Sequence, residues 1–286
     1  MMNNKKLGIV YIIMAAFFFA LMTFFIRKAG NLPTMQKAFF RNVVALAVAA
    51  VMLLKSDEGF KIKKGSIFGL TMRSIGGTIG LICNFYAVDH MNISDANMLN
   101  KLSPFFAIIM STFILGEMAG GFEWAMVVLA FMGAMFVAKP SFNVEAFPAL
   151  IGAFGGFCAG TAYTFVRKLG KQGERGAVIV MYFSTFSCLV TLPFFIVGYE
   201  PMTGRQFVFL LLTGLAAAMG QLCITAAYTK APAKEISVYD YSQVIFAAIL
   251  GFLFLDQMPD RYSIVGYVII ITAAVLKWRH ANSKEE

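Results

Sequence analysis

Apolar residues gather along this chain into ten runs, separated by short polar stretches, at about 8 to 26, 35 to 54, 66 to 88, 95 to 115, 122 to 138, 147 to 167, 175 to 197, 205 to 228, 235 to 255 and 261 to 279. Each run is about as long as a helix needs to cross a hydrocarbon core of roughly 30 Å. The pattern predicts an all-α integral membrane protein with ten transmembrane helices. The connections are short and rich in Gly, Pro, Asn and Lys, as expected at helix ends, and leave no room for a sizeable soluble domain. The first run has no Ala-x-Ala-like exit and nine more follow it, so it reads as a retained span and not as a cleaved signal.

The runs are related by an internal register. Phe25, Arg27, Lys28 and Gly30 recur as Phe165, Arg167, Lys168 and Gly170, an offset of 140 residues. The same offset pairs Gly80 with Gly220, Cys83 with Cys223, Phe106-Ala107 with Phe246-Ala247, Leu115 with Leu255 and Met118 with Met258. Shared composition alone supplies Phe, Ala and Leu, but an Arg-Lys-x-Gly and a Cys in one register favour duplication. The expected units are 1–140 and 141–286. Five helices per unit is an odd number, so the second copy enters the membrane upside down relative to the first, giving two inverted five-helix repeats.

Composition agrees. Apolar residues make up 59% and charged residues 14% of the chain, and the mean hydropathy is +0.74, too little polar surface to cover a soluble core. The net charge of +9 is scattered through short loops, so the expected partner is the lipid bilayer and not nucleic acid. Basic residues concentrate beside the amino end, at Lys5, Lys6, Lys61, Lys63, Lys64, Arg167, Lys168, Lys171 and Lys284 among others. Arg27, Lys28, Lys37, Arg41, Lys139, Arg205 and Arg261 fall on the other side, and Arg73 and Lys101 lie within spans. The bias predicts cytoplasmic termini.

Cys83, Cys158, Cys188 and Cys223 all lie in apolar runs without CxxC spacing, which reads as small buried hydrophobes and not as a metal site or disulfide. His90 and His280 have no nucleophile or carboxylate arranged beside them, and there is no Gly-rich phosphate loop. The chain is expected not to be an enzyme and to need no metal or cofactor.

Polar side chains inside the bilayer are where function is expected, since each costs about 2.5 to 3.5 kcal/mol at the centre unless it lines a cavity or finds a partner. In the fourth span, Asn97, Asn100, Lys101 and Pro104 share a face at helical spacings of three and four. The 140-residue offset carries Asn100 to Asp240 and Lys101 to Tyr241 in the ninth span. In an inverted repeat these positions converge near the midplane, making Lys101 and Asp240 the leading site pair. The bland alternative has Lys101 snorkelling to headgroups and Asp240 capping its helix. Arg41, early in the second span, offers a fork for a carboxylate or phosphate, or else an interfacial anchor. Asn84 and Gln221 face the same region by position. Tyr86, Tyr163, Tyr182, Tyr228 and Tyr239 supply amphipathic walls, or membrane-interface belts. Gly76-Gly77 with Gly80, and Gly152 with Gly155-Gly156 and Gly160, provide small faces for close helix approach or bending.

These residues carry a resemblance. Two five-helix copies, the Leu115-Gly116-Glu117 ending of the fourth span, the Leu102-Ser103-Pro104-Phe105-Phe106 stretch within it, Arg41, and the run from Ala226-Ala227-Tyr228 to Phe252-Leu253-Phe254-Leu255 resemble the EamA family of the drug/metabolite transporter superfamily. The likeness covers nearly the whole chain. It implies a multispanning permease of the bacterial plasma membrane with an alternating central cavity, for substrates ranging over amino acids, choline-like cations, nucleobases and other metabolites. The second copy departs from the family, with Asp256-Gln257 where Gly-Glu is common. The first span has no acidic residue between Gly8 and Ile26, so the membrane glutamate through which related small multidrug resistance proteins couple drug to protons has no counterpart here.

With these residues in place, the two bundles are expected to rock about a site lined by Asn84, Asn100, Lys101, Tyr239, Asp240 and Gln243, with Arg41 near an entrance. A cation and an anion in reach favour a zwitterionic, amino-acid-like solute, and Asp240 is the candidate for carrying a coupling proton. Transport of organic cations such as choline or drug-like amines is the alternative cargo. A non-transporting scaffold or receptor is the alternative of another class. A monomer encloses one pathway and suffices; a dimer is compatible with it.

Overall fold

A computed structural model describes residues 4–90, 93–139, 146–255 and 258–283, so Asp256, Gln257 and Lys284 lie outside the described residues. The described chain is helical: α1 (Asn4–Ala29), α2 (Thr34–Leu54), α3 (Ile67–His90), α4 (Ile93–Asn100), α5 (Ser103–Leu115), α6 (Gly121–Ala138), α7 (Ala146–Lys171), α8 (Gly176–Val197), α9 (Gly204–Lys230), α10 (Ala233–Ile236), a 3₁₀ turn over Ser237–Tyr241, α11 (Ser242–Leu255) and α12 (Arg261–Ser283). Among the described residues, 9 helical stretches are long and apolar enough to cross a membrane. The remaining long helix, α3, has 24 residues but carries Arg73 and Asn84 in its length.

Helix packing follows the duplication. α1 lies along α9, and α7, its counterpart in the second copy, lies along α3, the counterpart of α9; α2 packs on α8 and α6 on α12. The register holds at the level of single contacts. A Cβ added to Gly80 would sit 3.1 Å from the Ala159 backbone N, and one added to Gly220 would sit 2.8 Å from the Phe19 ring. These two pairs differ by 140 residues on both sides, which is what a pseudo-two-fold axis relating antiparallel copies requires.

α7 is the inner post of the bundle. Its Gly155 faces α3 at Cys83, while Gly152, Gly156 and Gly160 face Leu99, the Leu99 carbonyl and the Ser103 carbonyl of α4 and α5. Without side chains on these edges two helix backbones approach closely, the packing role expected for them.

The fourth and ninth spans, expected as continuous helices, are each interrupted. α4 ends at Asn100 and α5 begins at Ser103, while the ninth span begins as α10, tightens into the 3₁₀ turn and resumes as α11. The two interruptions sit at corresponding places. In the first, Pro104 has no N–H for the Asn100 carbonyl and crowds it. Irregular backbone at membrane depth is tolerated where it is enclosed by protein or lines a cavity.

Lys5 and Lys277, from α1 and α12, both reach Glu235, at 3.8 and 3.3 Å, so the two chain ends lie on one face of the bundle, here the terminal face. At the opposite face Asp260 caps α12 through the Ser263 N–H at 3.0 Å and pairs with Lys139 at the end of α6. The Lys139 hydrogen bond, helped by the Ser263 N–H, pushes the Asp260 carboxyl from its usual 3.8 down to about 2. A depressed carboxyl stabilises the fold fully above its unfolded value and loses that contribution as pH falls through its folded value. The unfolding temperature is therefore expected to carry a component that declines between about pH 4 and pH 2. A pH series on Asp260→Asn should lack it.

Candidate functional site

The interrupted spans meet through their side chains. Lys101 Nζ donates to Asp240 Oδ2 at 2.9 Å and to Gln243 Oε1 at 2.7 Å, with the Lys101 and Asp240 side chains only 16% and 11% exposed. The Lys101 carbonyl, freed where α4 stops, accepts the Tyr241 hydroxyl at 2.9 Å. Tyr241 is the residue that the 140-residue offset assigns to Lys101, so each interruption is tied to the other across the pseudo-axis. Lys101 does not snorkel outward, and Asp240 pairs instead of capping.

The other expected residues divide. Gln243 joins the cluster. Tyr239 is buried with its hydroxyl unpartnered, and Asn84 likewise has a buried, unpartnered Oδ1, as does Gln221 at Oε1. Asn100 is part-buried beside the pair and, among the described residues, makes no side-chain hydrogen bond to it. Asn97 is exposed and opens onto a cleft of about 340 Å³ that runs from Arg27, Met258 and Pro259 inward to Val244, the neighbour of Gln243. Pro104, by contrast, is buried, so the face expected to hold both does not persist through the break.

Arg41 belongs to a second group that the sequence reading only half assembled. Its Nε is buried without a partner, and its Nη1 donates to Asn42 Oδ1 at 3.3 Å. Arg73 of α3, 2% exposed, lays its guanidinium 4.0 Å over the Phe183 ring and also has an unpartnered Nε. Tyr163 stacks on Tyr228 at 4.9 Å and 8°, and lies in electrostatic reach of Arg41, Arg73 and Asp240. One interior region thus holds Arg41, Arg73, the tyrosine pair and Asp240. Arg73 was visible in the sequence as a charge inside a span, and the signal that distinguishes it is the glycine one turn on. A Cβ at Gly77 would fall 2.1 Å from Arg73 Nη1.

The terminal face is fastened by ions. Glu117 binds Arg167 Nε at 3.0 Å and Lys171 Nζ at 2.7 Å, and Arg167 Nη1 donates to the Thr229 carbonyl at 3.1 Å. Gly116 makes this reach feasible: it closes α5 in the left-handed region at φ 67, where a side chain is disfavoured. Lys277 joins Glu123 at 3.2 Å to Glu235 at 3.3 Å. We expect Glu117→Gln to speed amide exchange over 229–234 by roughly an order of magnitude, the equivalent of about 1.4 kcal/mol. Unchanged exchange would show that the contact does not hold that face together.

Comparison with known proteins agrees with this architecture. The model of the EamA-like transporter family matches residues 6–139 and again 146–278. The chain is 30% identical over 273 residues to the Pseudopaline exporter CntI of Pseudomonas aeruginosa, covering 94% of this chain and 95% of that protein. It is 24% identical to human Solute carrier family 35 member G1, covering 96% of this chain and 81% of that one. It is 25% identical to the Riboflavin transporter of Rhizobium johnstonii, over 68% of this chain and 64% of that protein. A crystal structure at 12% identity, covering 98% of this chain and 99% of its own, superposes with a TM-score of 0.83 and shows the same fold. With its two halves each matched by the family model, the chain belongs to the EamA-like transporter family of the drug/metabolite transporter superfamily.

Proposed function

We propose that this membrane transporter is a plasma-membrane permease with cytoplasmic termini that moves a small polar, zwitterionic, amino-acid-like metabolite by alternating access. The units 1–140 and 141–286 rock about the Lys101–Asp240–Gln243 cluster. The observation that carries the reading is that cluster: a Lys and an Asp in contact at paired helix interruptions, one from each copy. A solute amine meets Asp240 and a solute carboxylate meets Lys101, so the protein pair opens as the ligand pair forms and the desolvated charges keep partners throughout. Asn84, Asn100 and Tyr239 complete the lining, and Arg41 holds a further anionic group. Proton uptake at Asp240 releases Lys101 in the absence of solute and so links translocation to a pH gradient. Relatives include proteins named for riboflavin and pseudopaline, which supports a metabolite cargo in general.

Reconstitution into vesicles tests the reading. Wild-type protein is expected to accumulate radiolabelled amino-acid-like solute under an imposed pH gradient, and Asp240→Asn to abolish the driven component. Unaltered driven uptake in Asp240→Asn would remove this residue from coupling.

A further inference from the structure

The Lys101–Asp240 pair is neutral as a unit, whereas Arg41 and Arg73 have no carboxylate partner among the described residues. From the burial of Arg73, the buried and open Nε donors of both side chains and their shared region with Tyr163, we infer that Arg41 and Arg73 form a cradle for carboxylates and that the cargo carries more carboxylates than amines. The inference rests on the transport reading above and narrows its substrate class.

The duplication shows that the fold itself does not require these cations. At the 140-residue offset, Arg41 corresponds to Met181 and Arg73 to Thr213, the latter satisfied within its own helix by the Phe209 carbonyl at 2.8 Å. The glycine follows the same rule. Gly77, whose missing Cβ makes room for Arg73 Nη1, corresponds to Ala217, where there is no arginine to accommodate. One copy was adapted for charge and the other was not.

The surroundings fit an anion. Phe183 covers one guanidinium face at 4.0 Å, leaving the in-plane N–H edge to make the forked contact a carboxylate accepts. Two like charges in one low-dielectric region repel and lose hydration, which a carboxylate in the cradle offsets. The amine of an amino-carboxylate then lies toward Asp240, which shares electrostatic reach of Tyr163 with both arginines. An organic cation such as choline gains nothing from this arrangement.

The test uses the full chain in detergent, with unfolding temperature measured against L-glutamate, glutarate, L-glutamine, glycerol 3-phosphate and choline. Glutamate is expected to raise the transition in a concentration-dependent way by mass action, glutarate to do so less, and glutamine and choline least. Arg41→Gln and Arg73→Gln are each expected to weaken glutamate about tenfold or more, without lowering the unfolding temperature of the solute-free protein. A structural role would give the reverse: a lowered solute-free transition and unchanged affinity. Should either variant fold poorly, Arg73→Lys and Gly77→Ala retain the cation but spoil the fork, and both must still lose affinity. Glutamine equalling glutamate, a shift with choline or the phosphate ester alone, or no shift with any probe overturns the cradle. Glutamate that binds but is not translocated in vesicles overturns the permease reading instead and leaves the cradle standing.

Discussion

Lys101→Ala is expected to eliminate solute translocation and to destabilise the protein by about 3–5 kcal/mol, the usual consequence of leaving one member of a buried ion pair uncompensated. Asp240 would retain its backbone position in the 3₁₀ turn while losing the ammonium 2.9 Å away, and Gln243 would lose its donor at 2.7 Å. The double variant Lys101→Met with Asp240→Leu separates the two consequences. Removing both charges and filling the space is expected to recover most of the stability, since a buried pair is often no better than a packed apolar one. Transport is expected to stay absent, because no group remains to exchange partners with the solute. Thermal unfolding and vesicle uptake on the wild type, Lys101→Met, Asp240→Leu and the double variant complete the cycle. A double variant that transports at the wild-type rate would mean the pair only holds the interrupted spans together.

Gly160→Val is the second large expected effect. The Cβ alone would lie 2.6 Å from the Ser103 carbonyl and 2.7 Å from the Ala107 N, both backbone atoms, so relief requires α5 to move away from α7. Overpacking of this kind costs typically about 1–3 kcal/mol. The loss here is expected at or above the top of that range, because Thr164, one turn on, also bonds the Ala107 carbonyl at 3.2 Å and would be pulled off with it. Detergent unfolding of Gly160→Ala and Gly160→Val should show a graded fall. Gly121→Ala, where nothing lies within 4 Å, serves as the comparison. An unchanged transition in Gly160→Val would contradict the close α5–α7 contact.

Hydrophobic run length carried the helix inventory, and a single offset carried the symmetry, because an inverted repeat writes itself into sequence as a constant difference. Lys101 and Asp240 were legible for the same reason: the offset placed Asn100 opposite Asp240, and charge within a span is costly enough to demand a partner. The interruption at Lys101 had a local marker in Pro104. The one over Ser237–Tyr241 had none, since no proline lies between Pro232 and Pro259, and its 3₁₀ geometry emerges from packing between the copies. Arg73 was harder. A lone arginine in a span has a place in the pattern only once α3 is seen against α8, where Phe183 and the notch at Gly77 receive it. Arg41 was expected near an entrance, and the fold sets its Nε in the interior group, because α2 presses onto both α8 and α9.

The two mouths of the bundle differ in how much of their fastening is enclosed charge. Glu117 with Arg167 and Lys171, and Lys277 with Glu123 and Glu235, shut the terminal one with charge. At the other, Gln36 and the Glu200 backbone exchange two neutral hydrogen bonds at 3.0 Å, and the Lys139–Asp260 pair of that face is exposed, so water screens it. Ions shed their hydration more cheaply as water warms, so heat favours the charged latch over the amide one.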